Sequence, residues 1–227
     1  MSKFLDSVLD IFFPPKCIFC RKVLHGKEKD ICPLCEGELP VLEGGLCSQK
    51  GDFFTKCVSA LKYEGKVRES IHRFKFSGCS NYCRGYAKIL APLIKSEYSG
   101  EYDIITWVPL SEKRERERGY DQAMLLAMAV AVELDDVAVE TLKKIRDVKA
   151  QSSMGGKDNR AANVLGAYEV PDKELVEGQR ILVIDDVVTT GSTLSECARM
   201  LRMAGAENVV CATVARTMAD LSNRKKD

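Results

Sequence analysis

The chain lacks an excess of charge of either sign. Its 34 Lys and Arg residues are balanced by 33 Asp and Glu residues, which leaves a formal net charge of +1. A chain so balanced has no global field that attracts nucleic acid or an anionic membrane, so any such binding must come from a local patch. Aromatic residues make up only 7% of the chain, which disfavours a dedicated stacking platform for single-stranded nucleic acid.

Long hydrophobic runs are also absent, since no apolar stretch approaches the roughly 18–20 residues that a membrane-spanning helix needs. The N-terminal stretch MSKFLDSVLDIFFPPKC resembles a signal peptide only superficially, because Asp6 and Asp10 interrupt its apolar residues and no small-residue cleavage site follows. The apolar residues repeat with helical spacing up to Pro14. We expect a short amphipathic helix packed on the body, with membrane attachment as the minor alternative, and a cytoplasmic protein.

Cysteine is plentiful but unevenly placed, with eight of the ten residues between positions 17 and 83. Two C-x₂-C pairs, Cys17/Cys20 and Cys32/Cys35, have the spacing with which four thiolates surround Zn²⁺. Disulfides are disfavoured in the cytosol, and neither pair lies at the strand-to-helix junction where a redox C-x-x-C is found. The pairs therefore predict a structural zinc site in a module too small to fold on apolar burial alone.

The remaining cysteines give weaker signals. Cys47 and Cys57 are compatible with a second metal site or with small buried residues, and Cys79 and Cys83 have a C-x₃-C spacing that also arises by chance. We expect no second metal site. The change in composition after the cysteine-rich part predicts an N-terminal helix and zinc module over residues 1–57 and a larger domain over residues 58–227.

The larger domain alternates between apolar runs and amphipathic segments. Strands are predicted at 103–110, 137–142, 164–170, 180–188 and 208–215, and helices at 66–76, 83–98, 120–134 and 193–204. Strands that alternate with helices imply right-handed βαβ units around a parallel sheet. The predicted class is therefore α/β.

The segment RILVIDDVVTTGST carries the strongest functional signal. An apolar strand ends at Asp185 and Asp186, and the turn that follows has Gly191 and four hydroxyls, on Thr189, Thr190, Ser192 and Thr193. Backbone N–H groups and the start of a helix make such a turn a cradle for phosphate. Two acids beside it repel a bare phosphate, so the ligand must also carry hydroxyls or bring a divalent cation.

Other phosphate-binding motifs do not fit this segment. A Walker A loop needs Lys after its second Gly, whereas Ser192 follows Gly191, and the G-x-G-x-x-G dinucleotide fingerprint is absent. The remaining alternative is an ordinary strand-to-helix turn with a capping hydroxyl. That alternative explains one hydroxyl but leaves the acid pair and the other hydroxyls without a reason.

The segment resembles the phosphoribosyl pyrophosphate (PRPP) motif of type I phosphoribosyltransferases. With the cysteine pairs, the resemblance extends to ComF-type competence proteins, which join a zinc module to such a domain. It is supported by segments 63–76, 108–127 and 151–170. It implies a twisted parallel sheet flanked by helices, ribose hydroxyls of PRPP on Asp185 and Asp186, and its 5-phosphate on Thr189–Thr193. It also implies that Mg²⁺ arrives with PRPP.

Two further segments gain an interpretation from this resemblance. The run SEKRERERG at 111–119 follows a strand end and is interpreted as a pyrophosphate-binding loop with Arg114 and Arg118, although a solvated charge run is the alternative. The polar segment at 146–163, with Lys149, Gln151 and Arg160, resembles the mobile loop that closes over PRPP. Lys75 matches a basic position of the family without an assigned role, and Asp121 stands where Asn is frequent.

Two functions remain open at this point. The first is a phosphoribosyltransferase that transfers phosphoribose to an unidentified nitrogenous acceptor and releases pyrophosphate, linked to DNA uptake in natural transformation. The second is a non-catalytic competence factor that binds PRPP, single-stranded DNA or both, together with DNA-uptake proteins. No segment is identified that would bind a base.

Overall fold

A computed structural model describes residues 14–26, 28–44, 48–146 and 165–218. The predicted N-terminal helix, Cys47 and the predicted loop residues Lys149, Gln151 and Arg160 lie outside the described residues. The described helices are α1 (Pro33–Glu38), α2 (Gly65–Phe76), α3 (Tyr82–Tyr98), α4 (Glu112–Arg118), α5 (Gln122–Leu134) and α6 (Ser192–Met203). The described strands are β1 (Ser48–Gln49), β2 (Lys56–Lys62), β3 (Ile104–Trp107), β4 (Lys143–Lys144), β5 (Tyr168–Glu169), β6 (Arg180–Val188) and β7 (Asn208–Arg216).

The main sheet has five strands in the order β1-β2-β7-β6-β3. Strands β2, β7, β6 and β3 pair in parallel, and only β1 is antiparallel to its neighbour. The central strands β6 and β7 are almost wholly buried, as expected for strands that are covered on both faces. The predicted α/β class with a parallel sheet is confirmed.

Helices cover both faces of this sheet. On one face α2, α3 and α5 bury a cluster that includes Ile71, Leu90 and Leu126 against β6 and β7. On the other face α6 buries Leu194 and Leu201 against the same strands. Because parallel strands end at the same edge, this layering brings the carboxyl ends of β3 and β6 and the helices that follow them together.

The segment at 111–119 forms the helix α4 where we had predicted a loop. Ser111 caps its start by accepting a hydrogen bond from the backbone N–H of Arg114 (3.4 Å), and Gly119 ends it in the left-handed conformation at φ +82°. Acidic residues occupy the first turn and basic residues the last, which suits the helix dipole. The predicted strands at 103–110 and 164–170 are shorter, with regular pairing only over β3 and β5.

The cysteine-rich part packs against α2. The guanidinium of Arg73 donates to the carbonyl oxygens of Ile18 (3.0 Å) and Phe19 (2.7 Å), and Ser70 Oγ donates to Ile18 O (2.6 Å). Strand β1 and the start of β2 belong to the main sheet although they precede residue 58, and the division of the chain at residues 57/58 stays a prediction. None of the helices in the described ranges has the length and apolarity needed to cross a membrane.

Candidate functional site

The two acids lie near the carboxyl end of β6 and face opposite sides of the sheet, as neighbouring strand residues do. Asp186 is 6% exposed, and its Oδ1 lies 2.8 Å from Nζ of Lys75 on the last turn of α2. Asp185 is only partly buried and pairs in register with Thr213 of β7. Its Oδ1 accepts a hydrogen bond from the backbone N–H of Asp186 (2.8 Å).

The surroundings of the acid pair shift the pKa values of Asp185 and Lys75. Burial, together with the negative charge of Asp186, raises the pKa of Asp185 to about 8, although the charge of Lys75 opposes the change. Burial alone would lower the pKa of Lys75, but the charges of Asp186 and Asp185 outweigh it and raise that pKa. Lys75 is therefore a cation at neutral pH, whereas Asp185 is mostly protonated there.

The turn after β6 leads directly into α6. Gly191 adopts φ +82°, a left-handed conformation that other residues rarely tolerate, and α6 begins at Ser192. The hydroxyls of Thr190 and Ser192 are hydrogen-bonded to each other (2.8 Å). The turn and Asp185 line a hollow of about 30 Å³. Since the first N–H groups of a helix have no partner within it, this hollow has donors suited to an anion.

A buried arginine holds the side chain of Gln49, which packs beside the turn. Arg216, at the end of β7, is 3% exposed and donates to Ser48 O (3.1 Å) and to Gln49 Oε1 (2.8 Å). The amide Nε2 of Gln49 lies only 3.4 Å from the position that a Cβ on Gly191 would occupy. The contact between Arg216 and Gln49 was not predicted from the sequence, where the only signal is an Arg at the end of an otherwise apolar strand.

A second and larger cavity, of about 450 Å³, lies beside the acid pair and is lined by Lys75, Phe76, Arg114, Glu117 and Arg118. Arg114 and Arg118 are partly buried, whereas Lys113 and Arg116 are exposed. This follows from residues four apart sharing one face of a helix. The guanidinium of Arg118 lies 4.7 Å from the ring centroid of Phe76 and donates to Gln122 Oε1 (2.5 Å).

Electrostatics connect Arg118 with the acids. Burial lowers the pKa of Arg118, while the charge of Asp186 acts in the opposite direction. Because the pKa of an arginine lies far above neutral pH, Arg118 remains a cation throughout the physiological range. The structure thus brings Arg114, Arg118 and Lys75 together at one cavity, next to the acid pair.

Asp121 has a structural task at the same edge of the sheet. Its carboxylate caps α5 by accepting from the backbone N–H of Met124 (3.0 Å), and it also accepts from the N–H of Leu110 (2.7 Å). Burial raises its pKa, and these two hydrogen bonds oppose the change. Asp121 therefore holds the residues after β3 against α5, a task for which a carboxylate suffices.

The four sulfur atoms of Cys17, Cys20, Cys32 and Cys35 lie within 4.8 Å of one another. A zinc ion with four sulfur ligands at about 2.3 Å places neighbouring sulfurs about 3.8 Å apart, and the sulfurs of Cys20 and Cys32 are separated by 3.7 Å. Burial alone would raise the pKa of Cys17, but backbone N–H groups lower it to about 7, which favours its thiolate, whereas burial and the neighbouring sulfurs raise the pKa of Cys35. The donor set fits a structural zinc ion.

The other described cysteines lie elsewhere. Cys57, Cys197 and Cys211 are fully buried in the layer between α6 and the sheet, where burial raises their pKa values. Cys79 and Cys83 are partly exposed at the start of α3. In the described ranges the only group of three or more candidate ligands is the set of four described above.

Two families match separate parts of the chain. Residues 121–227 match the phosphoribosyl transferase domain, which contains the acid pair and the turn after it. Residues 8–66 match the double zinc ribbon domain, which contains the four clustered cysteines. The two matches assign the parallel sheet and the cysteine cluster to known structural classes.

Curated relatives are similar over most of their length. Competence protein F of Haemophilus influenzae is 29% identical over 219 residues, covering 87% of this chain and 95% of the relative. DNA utilization protein YhgH of Escherichia coli is 30% identical over 213 residues, with 89% and 90% covered. Competence protein ComFC of Bacillus subtilis is 27% identical over 201 residues, with 82% and 77% covered. The chain belongs to the family of ComF-type competence proteins, which carry a phosphoribosyltransferase-fold domain and a zinc ribbon.

Proposed function

We propose that the chain binds PRPP at the carboxyl end of β6 and transfers its phosphoribose to a nitrogenous acceptor, in a process linked to DNA uptake. The observation that carries the proposal is the turn at residues 189–193. It joins β6, which carries the two acids near its carboxyl end, to the N-terminus of α6, with Gly191 in the conformation that such a turn requires. This arrangement suits a ligand that carries both a phosphate and vicinal hydroxyls.

Each part of PRPP has a place in the proposed complex. The 5-phosphate lies in the hollow of the turn, and the ribose hydroxyls bond to Asp185 and Asp186. The pyrophosphate occupies the larger cavity, where Arg114 and Arg118 supply positive charge. The magnesium ion that accompanies PRPP would balance the remaining negative charge of the pyrophosphate.

The proposed reaction is a displacement at C1 of the ribose. A nitrogen atom of the acceptor attacks C1, the bond to pyrophosphate breaks, and the cations of the cavity stabilise the leaving group. Ordered binding by the turn and the acids would hold C1 in place for this attack. The further contacts of Lys149, Gln151 and Arg160 with PRPP are proposed from the family resemblance alone.

A second candidate function is a non-catalytic one, in which the chain binds PRPP, single-stranded DNA or both during natural transformation. The exposed cations Lys113 and Arg116 on α4 favour it, as do the names of the relatives, which refer to competence and DNA utilization. Phosphate contacts of this kind release counterions, so single-strand affinity would fall steeply with salt.

Thermal unfolding with and without PRPP and Mg²⁺ tests the proposal. PRPP at about 100 times its Kd adds about 2.7 kcal/mol to the stability of the parent, which corresponds to roughly 5–10 °C in Tm for a chain of this size. The double variant Asp185→Asn/Asp186→Asn is expected to lose the shift, and the Asp103→Asn variant, which changes an ion pair at the opposite edge of the sheet, is expected to keep it.

The outcomes separate the two functions. A parent without any shift would exclude PRPP as a ligand. A shift that is accompanied by pyrophosphate release with one of a panel of nucleobases supports the transferase. A shift without release for any base, combined with salt-dependent binding of a single strand, supports the non-catalytic function.

A further inference from the structure

The ion pair between Lys75 and Asp186 differs from the surface ion pairs of the chain. The Lys75 side chain is 24% exposed and that of Asp186 8%. By contrast, the side chains of Lys66, also on α2, and of its ion-pair partner Glu38 are both more than half exposed. A buried pair is held in one geometry, while an exposed pair is screened by water. The Nζ of Lys75 is thus a fixed positive charge next to the acid pair.

The positive charge of Lys75 offsets the repulsion between the acid pair and a bound phosphate. The carboxylate of Asp186, joined by that of Asp185 once it ionises, repels the anion that the turn is built to hold. Asp185 lines the hollow of the turn, whereas Lys75 lines the larger cavity and not the hollow. Lys75 therefore lies where it can compensate the acids without occupying the phosphate position.

We propose that Lys75 is a built-in counter-cation of the acid pair, which allows a ribose phosphate to bind without a divalent cation. This inference rests on the proposed function and deepens it. The requirement for Mg²⁺ is then confined to ligands that also carry pyrophosphate, because only their additional charge exceeds what Lys75, Arg114 and Arg118 compensate. Lys75 is a positioning residue in this role, since it acts through Asp186.

The alternative is that Lys75 only fastens α2 to the sheet. A purely structural contact would make the affinity for ribose phosphate independent of Mg²⁺ in every variant that folds. A counter-cation predicts something different: a divalent cation should replace the lost charge when Lys75 is removed. Rescue by Mg²⁺ is therefore the measurement that distinguishes the two roles.

The experiment measures binding of ribose 5-phosphate by calorimetry to the zinc-loaded full chain, in Mg²⁺-free buffer and with millimolar Mg²⁺. We expect the parent Kd to differ by less than about threefold between the two conditions, a small change on the scale where tenfold is about 1.4 kcal/mol. Lys75→Met should bind about tenfold or more weakly without Mg²⁺ and recover most of its affinity with it. Lys75→Arg keeps the charge and should resemble the parent, as should Lys66→Met on the same helix.

Several results would overturn the inference. One is a Lys75→Met variant that binds ribose 5-phosphate as well as the parent does without Mg²⁺. Another is a parent that binds PRPP with Mg²⁺ but needs Mg²⁺ for ribose 5-phosphate as well, which leaves the proposed function standing. If Lys75→Met does not fold, Lys75→Gln, which removes the charge but keeps a polar side chain, takes its place, and weak binding without rescue by Mg²⁺ in that variant overturns the inference. A parent that binds neither ligand contradicts the proposed function itself.

Discussion

Replacing Asp185 by Asn is expected to change how the stability of the protein depends on pH. The pKa of Asp185 is raised from 3.8 to about 8 in the folded chain. A carboxyl group whose folded pKa lies above its unfolded pKa stabilises the fold fully below the unfolded value. This contribution is lost as the pH rises through the folded value. Asp185 should therefore make the parent progressively less stable between about pH 4 and pH 8.

The size of the effect follows from the same values. A pKa difference of one corresponds to about 1.4 kcal/mol, so the rise to about 8 sets a ceiling of about 6 kcal/mol. Water reaches the accessible part of Asp185, which reduces the penalty of ionisation, and we expect about 2–3 kcal/mol. Asn has nearly the same shape and keeps an oxygen that accepts from the N–H of Asp186, but it carries no charge at any pH.

Urea unfolding of the parent and of Asp185→Asn between pH 5 and pH 8.5 measures the difference, with zinc present throughout. The variant should gain stability relative to the parent as the pH rises, by about 2–3 kcal/mol across the window. Asp103→Asn is the matched control: hydrogen bonds from Arg180 lower the pKa of Asp103 to about 2. Its contribution is lost only as the pH falls through that value, which lies below the window. Parallel pH profiles of the parent and Asp185→Asn would refute the reasoning.

Three other substitutions test separate parts of the structure. Cys35→Ser removes one of four sulfur ligands and should abolish stoichiometric zinc, as measured by atomic absorption, while Cys83→Ser should keep it. Gly191→Ala forces a side chain into a left-handed turn beside the amide of Gln49 and should cost about 1–3 kcal/mol in unfolding free energy, with weaker PRPP binding. Arg73→Met removes the donor to Phe19 O, while Ile18 O keeps its hydrogen bond from Ser70 Oγ. The variant should cost about 1–3 kcal/mol in urea unfolding, and proteolysis should cut near Phe19 more readily than in the parent.

The features that could be predicted from the sequence are those in which neighbouring residues carry the signal. The strand that carries Asp185 and the helix after Gly191 lie in one continuous segment, and the cysteine pairs are defined by their spacing. The parallel class followed from the alternation of strands and helices. These local patterns are strong because burial on both faces of a strand and capping of a helix start leave few other choices.

The features that could not be predicted depend on residues far apart in the chain. The contact between Lys75 and Asp186 joins α2 to β6 across 111 positions, and Arg216 reaches Gln49 across 167 positions. Strand β1 has only two residues and no periodicity to reveal it. The helix α4 was missed because its alternating charges are equally typical of a solvated loop, and the cap at Ser111 decided between them.

A crystal structure of the chain soaked with PRPP and Mg²⁺ tests the central claim most directly. We predict the 5-phosphate at the N-terminus of α6, within hydrogen-bond distance of the turn at residues 189–193, and ribose hydroxyls on Asp185 and Asp186. Phosphate density elsewhere, with the turn occupied by solvent alone at saturating ligand, would contradict the account.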